Sequence, residues 1–230
     1  MKALIIYSGG MDSTTLLYDY KDSIKMAISF DYGSKHNDTE FGYAAVNTSR
    51  LGIPHERINI QSFMHLFKSD LLKSGGAIPE GHYSEDNMKS TVVPFRNGIM
   101  LSIAAGIAES NGLDTILIAN HHGDFAQYPD CRDVFIEGMR KAIFEGTGGK
   151  VTLEAPYTPL TKRAIALRGR DIGVDFTYTW SCYKAEGDYH CGRCGTCVER
   201  IWALRGLDPT IYEDTDFAIA ELIKKGEWDA

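Results

Sequence analysis

Two groups of residues in this chain have types and spacings that could do chemistry: a glycine pair near the amino terminus and a set of cysteines far downstream. Ser8-Gly9-Gly10-Met11-Asp12-Ser13-Thr14 follows the apolar run Ala3-Leu4-Ile5-Ile6-Tyr7 and opens onto Thr15-Leu16-Leu17-Tyr18. A loop between a buried strand and a helix start is suited to phosphate. Glycines let the backbone approach an anion closely, and the free N–H groups of a first helical turn favour negative charge. Ser8, Ser13 and Thr14 add hydroxyl donors, while Asp12 would repel phosphate unless a divalent cation lies between them. Neither of the two common glycine-rich nucleotide motifs, G-x-x-x-x-G-K-[ST] or G-x-G-x-x-G, describes this loop, and Ser-Gly-Gly alone also fits a plain turn.

Cys182, Cys191, Cys194 and Cys197 have the spacing C-x8-C-x2-C-x2-C. Four soft ligands suit tetrahedral zinc, and a closed set of four thiolates leaves no open position, which makes it a structural staple for residues 180–200. Gly192 and Gly195 follow two of the ligands, and Lys184, Arg193 and Arg200 offset the anionic centre. An iron–sulfur cluster is the rival, although the Cys-Pro that ends the ferredoxin run is missing. Cys131 stands apart and reads as a small buried residue.

Further polar residues cluster where strands end. Asp31-Tyr32-Gly33-Ser34 follows one strand, and Asn120-His121-His122-Gly123-Asp124 follows another. Tyr128-Pro129-Asp130-Cys131-Arg132-Asp133 then begins a helix to about Glu145, and Asp130 and Arg132 have a bland reading as a cap and a surface ion pair. Lys162 either neutralises a triphosphate or is an ordinary exposed lysine.

The elements that must position these groups alternate. Strands at Ala3–Tyr7, Met26–Phe30, Arg57–Ile60 and Thr115–Ala119 are separated by helices around Ser13–Tyr20, Asp38–Leu51 and Asn97–Asn111, with an extended segment near Leu153–Leu160, a short helix capped by Thr161, and a last helix near Phe217–Lys225. This predicts an α/β, Rossmann-like parallel sheet with helices on both faces, whose ligands bind beyond the carboxyl ends of the strands. Residues 73–93 are polar and Gly-rich without a period and read as a mobile lid or an insert.

The 230 residues, 43% of them hydrophobic, suffice for one main domain over 1–230 with the 180–200 metal-binding segment inside it. A net charge of −7 argues for a small-molecule substrate and against nucleic acid. No run reaches the length of a membrane span and no signal-peptide layout is present, so the expected location is cytoplasmic, where clustered cysteines indicate metal and not disulfides.

Ser8-Gly9-Gly10-x-Asp12-Ser13 resembles the pyrophosphate loop of the N-type ATP pyrophosphatases. Together with Val93-Pro94-x-Arg96-Asn97, Tyr128-Pro129-Asp130-Cys131-Arg132, Leu160-x-Lys162, Ser181-Cys182-Tyr183 and the spaced cysteines, it resembles the 7-cyano-7-deazaguanine synthase family from residue 2 to about 205. The resemblance implies an adenine-nucleotide α-hydrolase-like fold and a zinc-bearing homodimer. It also implies a reaction in which 7-carboxy-7-deazaguanine and ammonia become the 7-cyano compound at the expense of ATP, through an adenylate and an amide, on the route to queuosine. On that reading Tyr7, Ser8, Gly9, Gly10, Met11, Asp12, Ser13 and Thr14 hold ATP, and Asp12 positions Mg2+. Asp12, Arg96, Arg132 and Lys162 are the catalytic candidates, and Phe95, Arg96, Asp124, Gln127, Asp130 and Arg132 contact the substrate. The commonest family form has glycine at Phe95 and Ser-Gly at Ala126-Gln127, which leaves open a variant that stops at the amide. Other readings are a tRNA thiolase or lysidine-forming ligase of the same loop class, and a zinc-stabilised nucleotide sensor without turnover.

Overall fold

The computed structural model describes residues 1–184 and 189–228, and for Phe125 and Ala126 only the backbone. Part of the expected metal segment, 185–188, and the side chain at Ala126 therefore lie outside the described residues.

Five strands, β1 (Ala3–Ile6), β2 (Ile24–Asp31), β3 (His55–Asn59), β4 (Thr115–Leu117) and β5 (Thr152–Glu154), form one sheet in the order β3-β2-β1-β4-β5. Every neighbouring pair is parallel, as continuous apolar strands alternating with helices require. The helices are α1 (Met11–Asp19), α2 (Asn37–Leu51), the single turn α3 (Gln61–Met64), α4 (Arg96–Ser110), α5 (Asp133–Gly146), α6 (Lys162–Asp171), α7 (Gly195–Leu204) and α8 (Thr215–Lys224). Alternation along the strands divides the core. Leu4, Ile28, Ile116 and Leu153 face Leu101, Ala104 and Ala108 of α4 and Ile136 and Ile143 of α5. Ala3, Ile5, Ala27 and Leu117 face Leu16 and Leu17 of α1, Ala44 of α2 and Ile165 of α6. Each fully buried leucine contributes about 2 kcal/mol by leaving water. Strand order reverses between β1 and β4, so the crevice at their carboxyl ends is where such a sheet takes a ligand.

Several expectations are corrected. The strand expected over Thr115–Ala119 ends at Leu117, and the segment near Leu153–Leu160 is extended only to Glu154. Beyond it, Pro156 and Pro159 lie in turns, with Leu160 N–H donating to Tyr157 O at 2.8 Å. The helix expected from Tyr128 starts at Asp133, because Pro129–Cys131 forms a separate 3-10 turn. Residues 73–93 are not a loose lid. Ile78, Tyr83, Met88 and Val93 are buried, and Asp86–Thr91 is a 3-10 helix. By length and composition alone Asp86–Ser110 passes as a membrane span, contrary to the sequence reading. In the fold it is that 3-10 helix, a break at Phe95 with φ of 55°, and α4 laid on the sheet.

Candidate functional site

The loop from Ser8 to Gly10 leaves β1 beside the strand-order reversal. Gly9 has φ of 86°, and a Cβ there would stand 2.5 Å from Glu40 O, so only glycine lets the loop pass this close to α2. No side chain caps α1 at Gly10, which leaves its first-turn N–H groups for an anion. Ser8 and Ser13 hydroxyls lie 3.0 Å apart, and Gly10 N–H donates to Ser8 Oγ at 3.2 Å. Behind the loop Tyr7 and Thr14 hydroxyls share a buried hydrogen bond of 3.0 Å.

A cavity of about 230 Å3 opens in front of this loop, lined among others by Ser8, Asp12, Tyr32, Arg96, Asp124 and Lys162. Lys162 is 8% exposed, which rules out the surface reading. Its ammonium lies 2.7 Å from Glu199 and 3.2 Å from Asp12. Burial works against the charge, but Asp12, Glu199 and Asp124 outweigh it and hold Lys162 above the usual lysine range. His121 Nε2 lies 3.7 Å from both Asp12 and Asp124. Asp12 Oδ1, His121 Nε2 and Asn120 Oδ1 are buried and have no hydrogen-bond partner among the described residues. The two orphaned oxygens suit a divalent cation or a ligand donor, while His121 Nε2 is a donor, because Nδ1 accepts from Gly123 N–H at 3.1 Å.

Opposite the phosphate loop stands Arg96 at the head of α4. It donates to Tyr32 Oη at 3.2 Å and packs near the rings of Tyr32 and Tyr128. Burial opposes its charge, and Tyr32, Tyr183, Tyr128 and Asp130 counter that. Asp130 accepts from Asn97 N–H at 2.8 Å, so its carboxylate caps the start of α4, not the helix that follows it in sequence. Next to Arg96, His36 stacks on Tyr183 at 5.1 Å between centroids and lies 3.7 Å from Glu40. Burial pushes the Glu40 carboxyl up to about 8, with Arg96 pulling the other way, while burial and Arg96 push His36 down to about 3.

The structure thus gathers Tyr7, Ser8, Gly10, Met11, Asp12, Ser13, Arg96, Asp124 and Lys162 around one cavity. Gly9 and Thr14 support the loop from behind. Phe95, Gln127, Asp130 and Arg132 are not in its lining. Phe95 is 58% exposed and meets Phe135 edge-on, Gln127 donates to Tyr83 O and Glu85 O, and Arg132 is exposed. Sequence reasoning missed Glu40, His36, Glu199, Tyr83 and Tyr183. His36 and Glu40 are four apart at a helix start, and Val198, Ile201 and Leu204 have the three-residue spacing that reveals α7 and hence Glu199.

The cysteines form the second site. All four Sγ atoms are buried within 4.8 Å of one another and can hold one metal ion. N–H groups of Arg193 and Cys194 donate to Cys191 Sγ at 3.4 and 3.3 Å, and hydrogen bonds from the other thiols pull Cys191 below the usual range. Burial pushes Cys194 far above it, the mark of a crowded thiol set that needs a cation to ionise together. The expected electrostatic helpers are otherwise engaged. Arg193 pairs with Glu80 and Asp214 at 2.7 Å each, Lys184 with Glu80 at 2.6 Å, and buried Arg200 bonds Phe176 O, Ser181 and Thr210. Gly81 N–H donates to Arg193 O at 3.0 Å, and Trp180 N–H donates to Gly9 O at 3.0 Å. A Cβ on Gly195 would meet Met88 at 3.0 Å and Tyr83 at 3.2 Å. The metal loop is therefore clasped to both the phosphate loop and the 78–88 wall, and Trp180, Ser181, Tyr183 and Thr196 carry it into the cavity lining.

A phosphate loop at the switch point of a parallel sheet, with a cysteine centre buttressing it, defines a Rossmann-like PP-loop scaffold. Within that class the chain belongs to the family described as queuosine biosynthesis protein QueC, whose model matches residues 2–208. It is 58% identical to a 7-cyano-7-deazaguanine synthase of Porphyromonas gingivalis, over 92% of this chain and 97% of the relative. It is 48% identical to the enzyme of that name from Desulfotalea psychrophila, over 91% and 98%. An NMN synthetase structure from Francisella tularensis overlaps 100% of this chain and 79% of its own at 12% identity, with a TM-score of 0.45.

Proposed function

We infer that the chain is an ATP-dependent ligase making 7-cyano-7-deazaguanine from 7-carboxy-7-deazaguanine and ammonia. The observation that carries this is the meeting of an uncapped phosphate loop, an orphaned Asp12 oxygen, buried Lys162 and buried Arg96 on one cavity. A carboxylate is a poor electrophile because oxide does not leave. Transfer of AMP to its oxygen supplies a leaving group, ammonia then gives an amide, and a second activation of the amide oxygen lets it depart and leaves the nitrile.

Ser8 to Thr14 bind the phosphates through backbone and hydroxyl donors. Asp12, with Asp124 and Glu199 nearby, is the donor set for Mg2+, which when bound spreads the charge that builds on leaving pyrophosphate. Lys162, already between carboxylates, stands ready for a phosphate oxygen. Arg96 grips the substrate carboxylate or the α-phosphate through its planar fork. Asp130 acts behind it by fixing the start of α4. Phe95 and Gln127, the departures that favour a product arrested at the amide, lie off the cavity lining, so the nitrile is the better reading. The four thiolates suit structural zinc, because their closed set offers no open coordination position. A cytoplasmic homodimer is the assembly and location implied by the family resemblance.

Incubation with ATP, Mg2+, ammonium and 7-carboxy-7-deazaguanine, followed by mass spectrometry, tests the reading. Nitrile, AMP and pyrophosphate are expected. Accumulation of the amide alone would make this the arrested variant, and unchanged acid with intact ATP would leave a sensor.

A further inference from the structure

The reaction inferred above has a requirement that the phosphate loop and its cations do not meet. Nitrogen must shed protons: once when ammonia becomes an amide, and twice when the amide becomes a nitrile. Lysines and arginines held as cations cannot accept them. Asp12 lies beside Lys162 and Asp31 beside Arg57, and Asp124 accepts from Tyr83 Oη at 3.4 Å and from His121 N–H at 3.2 Å, so these three carboxylates are already engaged. Glu40 differs. It lines the same cavity, its side chain is 18% exposed, and the one ion-pair contact shown for it within 4 Å is His36 at 3.7 Å. Its backbone carbonyl packs on Gly9 of the Ser8–Gly10 loop, and residue 40 shares one cavity lining with Ser8 and Gly10 of that loop.

The neighbours of Glu40 fix its setting. Arg96 donates to Tyr32 Oη, which lies 3.5 Å from His36 Nε2, and the His36 ring is clamped against Tyr183. The other titratable or charged groups lining the cavity are Tyr7, Asp12, Asp31, Arg57, Tyr83, Asp124, Cys131, Lys162 and Tyr183. His36 is neutral at physiological pH, so it orients the carboxyl without neutralising it. A carboxyl lifted by burial toward pH 8 is a base of useful strength for a nitrogen proton.

We propose that Glu40 is the proton acceptor of both nitrogen steps, with His36 as the residue that positions it. In the first step the ammonia lone pair bonds to the acyl carbon. The C–O bond to the nucleotide breaks with its electron pair leaving on AMP, and the proton released by nitrogen passes to the Glu40 carboxylate, which returns it to solvent. In the second, the adenylated amide gives one N–H proton to Glu40, which passes it to solvent, and becomes a neutral imidate. Glu40 takes the other, the N–H electron pair becomes the third carbon–nitrogen bond, and the C–O pair leaves with AMP. No oxidant or further reactant is needed.

This rests on the ligase reading, and the test separates the two. Exchange of labelled pyrophosphate into ATP, driven by 7-carboxy-7-deazaguanine without ammonium, reports adenylate formation, in which no nitrogen proton moves. E40Q is expected to keep that exchange within about threefold while amide and nitrile formation fall about 100-fold. E40A is expected to regain product formation when formate is added. In the wild-type protein the amide-forming rate should rise with pH through a limb near 8 that E40Q lacks. Nitrile formation by E40Q within threefold of wild type would overturn the proposal, and so would parallel loss of exchange and product. Should E40Q not fold, a wild-type amide-forming rate flat from pH 7 to 9 would overturn it alone. Absence of exchange in the wild-type protein would remove the ligase reading itself, and the proposal with it.

Discussion

The phosphate loop and the cysteine loop touch through Trp180 and Gly9, and both bury polar atoms, yet they handle them in opposite ways. Around Cys191 every turn is closed: N–H groups point at sulfur, Arg193 is spent on Glu80 and Asp214, and Arg200 is spent on three oxygens. Around Asp12 the wall is left incomplete, with carboxylate, imidazole and amide atoms that find no partner among the described residues. A buried polar atom without a partner costs stability, so a fold keeps several together only where something else arrives to satisfy them. Saturation marks the staple, and its absence marks the place of chemistry.

The comparison breaks most visibly at the staple. Cys194→Ser should cost metal content and most soluble protein, with any folded remainder melting about 10 °C lower; a normally folded, metal-free variant would end the staple reading. Asp12→Asn is the opposite case. It should cut acid-dependent pyrophosphate release about 1,000-fold while the melting temperature, followed by circular dichroism, falls by no more than about 5 °C, since Glu199 still pairs with Lys162. Arg96→Ala is expected to lower kcat/KM about 100-fold in a steady-state assay, and near-wild-type kinetics would remove it from the site.

A gentler test falls on the clasp between the two regions. Arg193 and then Lys184 hold the Glu80 carboxyl down to about 2. A carboxyl lowered in the folded state stabilises above its ordinary range and loses that contribution as pH falls toward 2. Glu80→Gln should therefore melt about 1 to 3 °C below wild type at pH 7, with the gap closing between about pH 4.5 and 2 in a melting series. Smallest of all, Phe95→Gly relieves a left-handed residue and should leave kcat/KM within threefold; a tenfold rise in KM for the acid would return Phe95 to the site.

Much of this was legible in the chain. Continuous apolar runs gave away the parallel strands, and Thr161 caps its helix by accepting from Ala164 N–H, as its type suggests. The strand-to-helix junction at Ser8–Gly10 was legible because glycine spacing and flanking periods agree. What escaped was three-dimensional. Asp130 looked like the start of its own helix but serves α4, because a 3-10 turn carries it across. Lys162 was ambiguous because burial is not written in a single residue. Glu40 was invisible because its importance lies in a burial that outweighs the pull of Arg96, a property of its surroundings. The 73–93 segment lacked a period because its order comes from contacts distant in sequence, with Gln127, Tyr128, Arg193 and Gly195 among them.

That last attachment has a consequence for how the protein is born. Residues 78–88 leave the ribosome long before the turn at Cys194 that clasps them. A nascent chain thus gains the clasp on this wall, and the Trp180 contact that braces the Ser8–Gly10 loop, only after more than half of it has been made.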